Sequence, residues 1–161
     1  IIGAGMPVGA FGGKREIMEV IAPVGHVYQA GTLSGNPVAM AAGLTQLKIL
    51  KNHPEIYTHM SQMGEKLYEG MKELVKKYGK PWKVNHIGSL GCIYFTDQDV
   101  ENYVDAKTSD TEEFARYFHY MLEHGIHLGP SQFEAMFLSN AHTEETTKET
   151  LEIFEGFLKQ E

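Results

Sequence analysis

The apolar positions of this chain change their period several times, and each change predicts an element. From Glu55 onward Ile56, Met60, Met63, Leu67, Met71, Leu74 and Tyr78 recur at steps of three and four, one stripe of a long amphipathic helix that Gly79 and Pro81 bring to an end. Before it, Asn36-Pro37 opens a helix expected to run to about Asn52. An asparagine side chain caps free amides there, and proline at the first helical position loses no needed donor. Ala39, Ala42 and Gly43, beside Leu47 and Leu50, give this helix a face suited to close packing on another backbone, and His53-Pro54 breaks the pattern. Residues 82–96 read as two short strands parted at Gly88-Ser89, the second covering 90–96. The polar stretch 97–110 reads as a surface loop. Phe114, Tyr117, Phe118, Met121 and Leu122 mark a helix that ends at Gly125. Residues 126–128 then begin a strand, 129–135 form a loop and 136–138 a short strand. Thr143 caps a final helix bearing Leu151, Phe154 and Leu158. Residues 1–35 are rich in glycine and read mainly as loops. Helices alternating with short strands place the chain in the α/β or α+β class.

Composition narrows the function classes. A chain of 161 residues, 42% hydrophobic and 22% charged, is long enough to bury a real core. Its net charge of −7 argues against a surface built to hold nucleic acid or anionic lipid, so a bound anion has to be gripped locally. Cys92 is the single cysteine and sits in the apolar run Gly91-Cys92-Ile93-Tyr94-Phe95, which reads as a buried, inert thiol and fits a reducing cytoplasm. No apolar run approaches the roughly 18 to 20 residues needed to cross a bilayer, and no segment reads as a signal peptide. Ile1 is not an initiator methionine and Ile1-Ile2-Gly3 reads as the end of an apolar strand, so the chain is expected to be a fragment.

Several familiar chemistries fail on spacing. Gly3 and Gly5 lack the third glycine of a dinucleotide fingerprint, since position 8 is Val8. His119, His124 and His127 do not match a zinc-binding helix, and Ser34-Gly35 lacks the glycine two residues before serine that a nucleophile elbow needs. The run Gly31-Thr32-Leu33-Ser34-Gly35-Asn36-Pro37 is more informative, because small residues and two hydroxyls directly precede a helix start. Such a turn offers amides and a hydroxyl to a phosphate; an ordinary capped helix entry is the alternative.

The stretch from Tyr28 through Pro37, preceded by Gly3-Ala4-Gly5-Met6-Pro7-Val8-Gly9-Ala10-Phe11-Gly12-Gly13-Lys14-Arg15-Glu16-Ile17-Met18, resembles the class III pyridoxal-phosphate aminotransferase family. The loop Pro130-Ser131-Gln132-Phe133-Glu134-Ala135 resembles the substrate loop of the family's aminomutases. The resemblance implies the C-terminal part of a fold-type I enzyme, a homodimer with active sites at the subunit interface. Residues 1–53 would be the tail of the large coenzyme-binding domain and 54–161 the small domain, a small sheet with helices on it. The implied cofactor is pyridoxal 5'-phosphate, with Gly31 and Thr32 contacting its phosphate, Glu134 lining the substrate site and Tyr28 a further candidate there. The family's Schiff-base lysine stands immediately before an Ile-Ile-Gly run, which here begins at Ile1, so this chain is expected to hold no catalytic residue and to be inactive by itself. The implied substrate is a small amino-aldehyde, glutamate-1-semialdehyde, converted to 5-aminolevulinate in tetrapyrrole synthesis. An ω-amino acid aminotransferase and a non-catalytic folded module are the alternatives.

Overall fold

In the computed structural model, which describes residues 2–160, Asn36, Asn102, Asp110 and Thr143 cap the helices they precede. Two units are distinguished, Ile1–Pro54 and Glu55–Glu161.

In the first unit, α1 (Arg15–Met18) is a single turn that periodicity did not signal, and α2 (Pro37–Asn52) is the helix expected after Asn36. Asn36 Oδ1 accepts from the amides of Val38 and Ala39, both at 3.1 Å. Close backbone approach falls at Gly43, where a Cβ would stand 2.9 Å from the Ile2 carbonyl oxygen, and Ala39 beside it is fully buried. The strand end expected at Ile1-Ile2-Gly3 is not formed over Ile2 and Gly3, which lie in a turn closed by Met6 N–H donating to the Gly3 carbonyl. Ile1 lies outside the described residues.

The second unit contains α3 (Glu55–Lys77), β1 (Lys83–Ile87), β2 (Leu90–Tyr94), α4 (Tyr103–Ala106), α5 (Thr111–Glu123), β3 (Met136–Phe137) and α6 (Glu144–Leu158). The strands form one antiparallel sheet in the order β1-β2-β3, with Val84 opposite Ile93 and Gly91 opposite Met136. Of the stripe on α3, Met63, Leu67 and Met71 are buried and Leu74 and Tyr78 partly so, with Tyr68 and Val75 buried beside them. Gly64 and Gly91 allow two close approaches: a Cβ at Gly64 would run into the Gly88 carbonyl, and one at Gly91 would stand 2.5 Å from the Tyr68 ring. The Tyr68 hydroxyl, whose pKa burial pushes up to about 12, donates to the Met136 carbonyl at 3.2 Å and so pins β3 from beneath. Phe95, Tyr117, Phe154 and Phe157 fill the centre, with Trp82 edge-on to Phe95 at 4.6 Å.

In this unit two expectations need correction. Residues 97–110 are not loop throughout, because Asn102 Oδ1 accepts from Val104 and Asp105 amides and starts the short helix α4. Residues 126–128 form no strand. Gly125, at φ +88°, closes α5 with Gly125 N–H to the Leu122 carbonyl and Ile126 N–H to the Met121 carbonyl at 2.8 Å, so the Ile126 donor belongs to the helix end. Gly79, at φ +65°, ends α3 in the same way. Thr143 caps α6 reciprocally with Thr146.

Glu155 on α6 accepts from Lys77 Nζ at 2.5 Å, Tyr78 Oη at 3.0 Å and Lys159 Nζ at 3.2 Å. Its carboxyl is thereby held at about 2, below the ordinary 4.5, chiefly by the Lys77 hydrogen bond. A depressed carboxyl stabilises the fold above its unfolded pKa and loses that contribution as pH falls toward its folded one. Thermal melts of Glu155→Gln are therefore expected to differ from wild type by a constant amount above about pH 5 and to converge between 4.5 and about 2. A difference independent of pH across that window would show that the cluster carries no linkage.

Candidate active site

Gly31 and Thr32 share one exposed turn. Ser34 N–H donates to the Gly31 carbonyl at 2.9 Å and Asn36 N–H to the Leu33 carbonyl at 3.0 Å, giving two linked turns before α2. A Cβ at Gly31 would stand 2.9 Å from Ser34 Oγ, and Gly35 takes φ +74°, so both glycines serve the backbone path. Asn36 already satisfies the first amides of α2, so the helix start itself has little left to offer an anion. The turn has more: among the described residues neither the Thr32 amide nor its hydroxyl has a partner. No acidic residue lies in 27–37. Tyr28 is 83% exposed and so is not a packing residue within its unit.

Glu134 stands in the other unit, on the loop that leads into β3. It is exposed, and its amide closes a turn onto the Ser131 carbonyl at 3.1 Å. The carboxylate folds back over Gly129: a Cβ there would stand 3.1 Å from Glu134 Cβ and closer still to Oε2. Beneath the loop lies Cys92, whose thiol is held above its ordinary pKa by burial. Its Sγ lies 3.7 Å from both the Gln132 and Glu134 carbonyl oxygens. Gln132, which spacing along the chain could not single out, is 2% exposed and donates from Nε2 to the Ile93 carbonyl at 2.7 Å. The contact joins residues 39 apart, and no local pattern announces it.

On the loop's other flank an open cleft of about 390 Å³ is bordered by Phe114, Phe118, His119, Pro130 and Phe133. Among the described residues no cluster of three or more side chains could hold a metal ion, and no helix is long and apolar enough to cross a membrane.

The sequence profile of class-III aminotransferases matches residues 1–158. The chain belongs to the class-III aminotransferase family. It is 60% identical over 159 residues to glutamate-1-semialdehyde 2,1-aminomutase 2 of Lachnoclostridium phytofermentans, covering 99% of this chain and 37% of that protein. It is 56% identical to the glutamate-1-semialdehyde 2,1-aminomutase of Persephonella marina, again over 99% of this chain and 37% of the relative. The chain thus spans little more than a third of the length of these relatives.

Among solved structures of the family's fold, an omega-transaminase from Sphaerobacter thermophilus superposes with a TM-score of 0.80 at 29% identity, over 99% of this chain and 36% of that one. A transaminase with PLP bound matches at TM-score 0.80 and 30% identity, over 99% and 36%. A glutamate-1-semialdehyde-aminomutase from Pseudomonas aeruginosa shares the fold at TM-score 0.72 and 22% identity, over 84% of this chain and 31% of that one. The α/β class and membership of this fold follow from these matches, with a small antiparallel sheet and packed helices in the second unit. Backbone shape does not separate aminomutases from transaminases, and the two curated relatives above, at 60% and 56% identity, carry the aminomutase name.

Proposed function

We propose that this chain is the C-terminal part of a pyridoxal-phosphate aminomutase that converts glutamate-1-semialdehyde to 5-aminolevulinate in tetrapyrrole synthesis. The carrying observation is the 60% identity to an aminomutase over 99% of the chain, a stretch that includes the loop Ser131-Gln132-Phe133-Glu134-Ala135. In this reading residues 1–53 end the large domain, 54–161 form the small domain, and the complete enzyme is a cytoplasmic homodimer.

Gly31 and Thr32 would hold the coenzyme phosphate. The exposed turn, the unengaged Thr32 hydroxyl and the absence of acidic neighbours suit a dianion, and a charge-assisted hydrogen bond is stronger than a neutral one. When bound, the coenzyme supplies an electron sink beside the migrating amino group. Glu134 would accept hydrogen bonds from the substrate's amino group and fix which carbon faces the coenzyme. No residue of this chain is assigned a proton-transfer step.

The reaction class is tested by giving the complete enzyme glutamate-1-semialdehyde without any keto acid. Formation of 5-aminolevulinate is expected, and a requirement for an external keto acid would favour the second reading, an ω-amino acid aminotransferase, which the Sphaerobacter match keeps in view. Glu134→Gln is expected to keep coenzyme affinity and lower kcat/KM for the amino-aldehyde about tenfold or more, since it removes one charged hydrogen bond. Wild-type kcat/KM would remove Glu134 from the site.

A further inference from the structure

We propose that Gln132 is a positioning residue whose buried carboxamide latches the loop 129–135 to β2 and thereby sets where the Glu134 carboxylate stands. The inference rests on the substrate-binding reading of Glu134. Among the described residues that carboxylate has no hydrogen-bond partner, so its place is decided by the backbone that carries it. That backbone has few ladder bonds: β3 is only Met136–Phe137 and pairs with Leu90 and Gly91. Beyond Gly91 the attachment passes to side chains. Gln132 Nε2 donates to the Ile93 carbonyl at 2.7 Å, and the Cys92 thiol, a weak donor, lies 3.7 Å from the Gln132 and Glu134 carbonyls.

The burial of Gln132 is what makes this a device rather than a surface contact. It is 2% exposed between half-buried Ser131 and exposed Phe133, and its Oε1 has no partner among the described residues. A buried amide with an unpaired acceptor is a poorer core residue than a hydrocarbon of equal size, so packing does not account for it, whereas the short bond to the Ile93 carbonyl, with a longer Nε2 contact to Cys92 Sγ at 4.0 Å, does. Gly129 completes the arrangement by leaving bare the shelf over which the Glu134 side chain folds. The crevice under the loop, about 10 Å³ and bordered by Cys92, Ile93, Gly129 and Glu134, has room for one water at most, so the loop rests directly on its floor.

The test is Gln132→Met in the complete enzyme, which keeps volume and removes the donor. Cys92, identified by peptide mass after iodoacetamide treatment, is expected to be alkylated about tenfold faster, and KM for the amino-aldehyde to rise about tenfold with pyridoxamine-phosphate affinity unchanged. Gln132→Glu provides a second readout. Its neutral carboxyl can donate to the Ile93 carbonyl and its anion cannot, so the labelling rate and KM, each taken as a ratio to wild type at the same pH, are expected to be near one at low pH and to rise with pH; the ratio removes the rise in thiolate that all variants share. Wild-type labelling and KM in Gln132→Met, or ratios to wild type that do not change with pH in Gln132→Glu, would overturn the latch. Faster labelling alongside wild-type turnover of Glu134→Gln would support the latch while removing the substrate role of Glu134.

Discussion

Thr32→Val is expected to weaken binding of pyridoxamine phosphate about ten- to a hundredfold, because a hydrogen bond from a hydroxyl to a charged phosphate contributes about 1.5–3 kcal/mol. The substitution nearly preserves shape. Thr32 is exposed and without a partner among the described residues, so the unfolding midpoint should not move. Pyridoxamine phosphate suits the titration because it forms no covalent bond to the protein and reports the non-covalent grip alone. Wild-type affinity in dilute enzyme would place the phosphate elsewhere. Asn36 sharpens the expectation: with the Val38 and Ala39 amides already engaged by its side chain, the turn rather than the helix start has to supply the donors.

Phe154→Ala should produce the largest loss of stability, about 3–5 kcal/mol by transfer and cavity terms together. Phe154 is fully buried and meets Tyr117 edge-on at 5.8 Å, and Tyr117 is itself buried with its phenol pKa raised by desolvation. A void left there is bordered by the Tyr117 ring, which Phe95 and Phe157 hold from other sides, and this restricts collapse. Urea unfolding of the variant checks this, and a loss below about 1 kcal/mol would mean that the aromatic cluster repacks freely.

Much of this architecture could be read from the chain because it rests on local devices. The α3 stripe repeats turn after turn along one helix, the Asn36-Pro37 start, the Gly79 and Gly125 stops and the Thr143 cap each act within one turn, and each is found where the pattern placed it. The failures share the opposite character. Residues 126–128 looked like a strand because apolar residues follow a glycine, but the helix end takes the Ile126 amide, a competition that hydropathy does not register. The α4 turn hid in a polar stretch because four residues are too few to show a period. The candidate site divides similarly. Gly31 and Thr32 stand out by turn chemistry and by motif resemblance, and Glu134 by resemblance alone, whereas the contacts of Gln132, Cys92 and Gly129 emerge only when distant segments are brought together.

The approach of Gly91 to Tyr68 also constrains how this sequence can drift. Position 91 lies on the central strand, and a methyl group there would press on the ring that also pins β3 through its hydroxyl. Shrinking Tyr68 to admit that methyl would release the β3 tether, while keeping Tyr68 forbids the methyl. Neither residue can therefore be exchanged alone at low cost, and in diverging descendants of this chain the two are expected to change together or not at all.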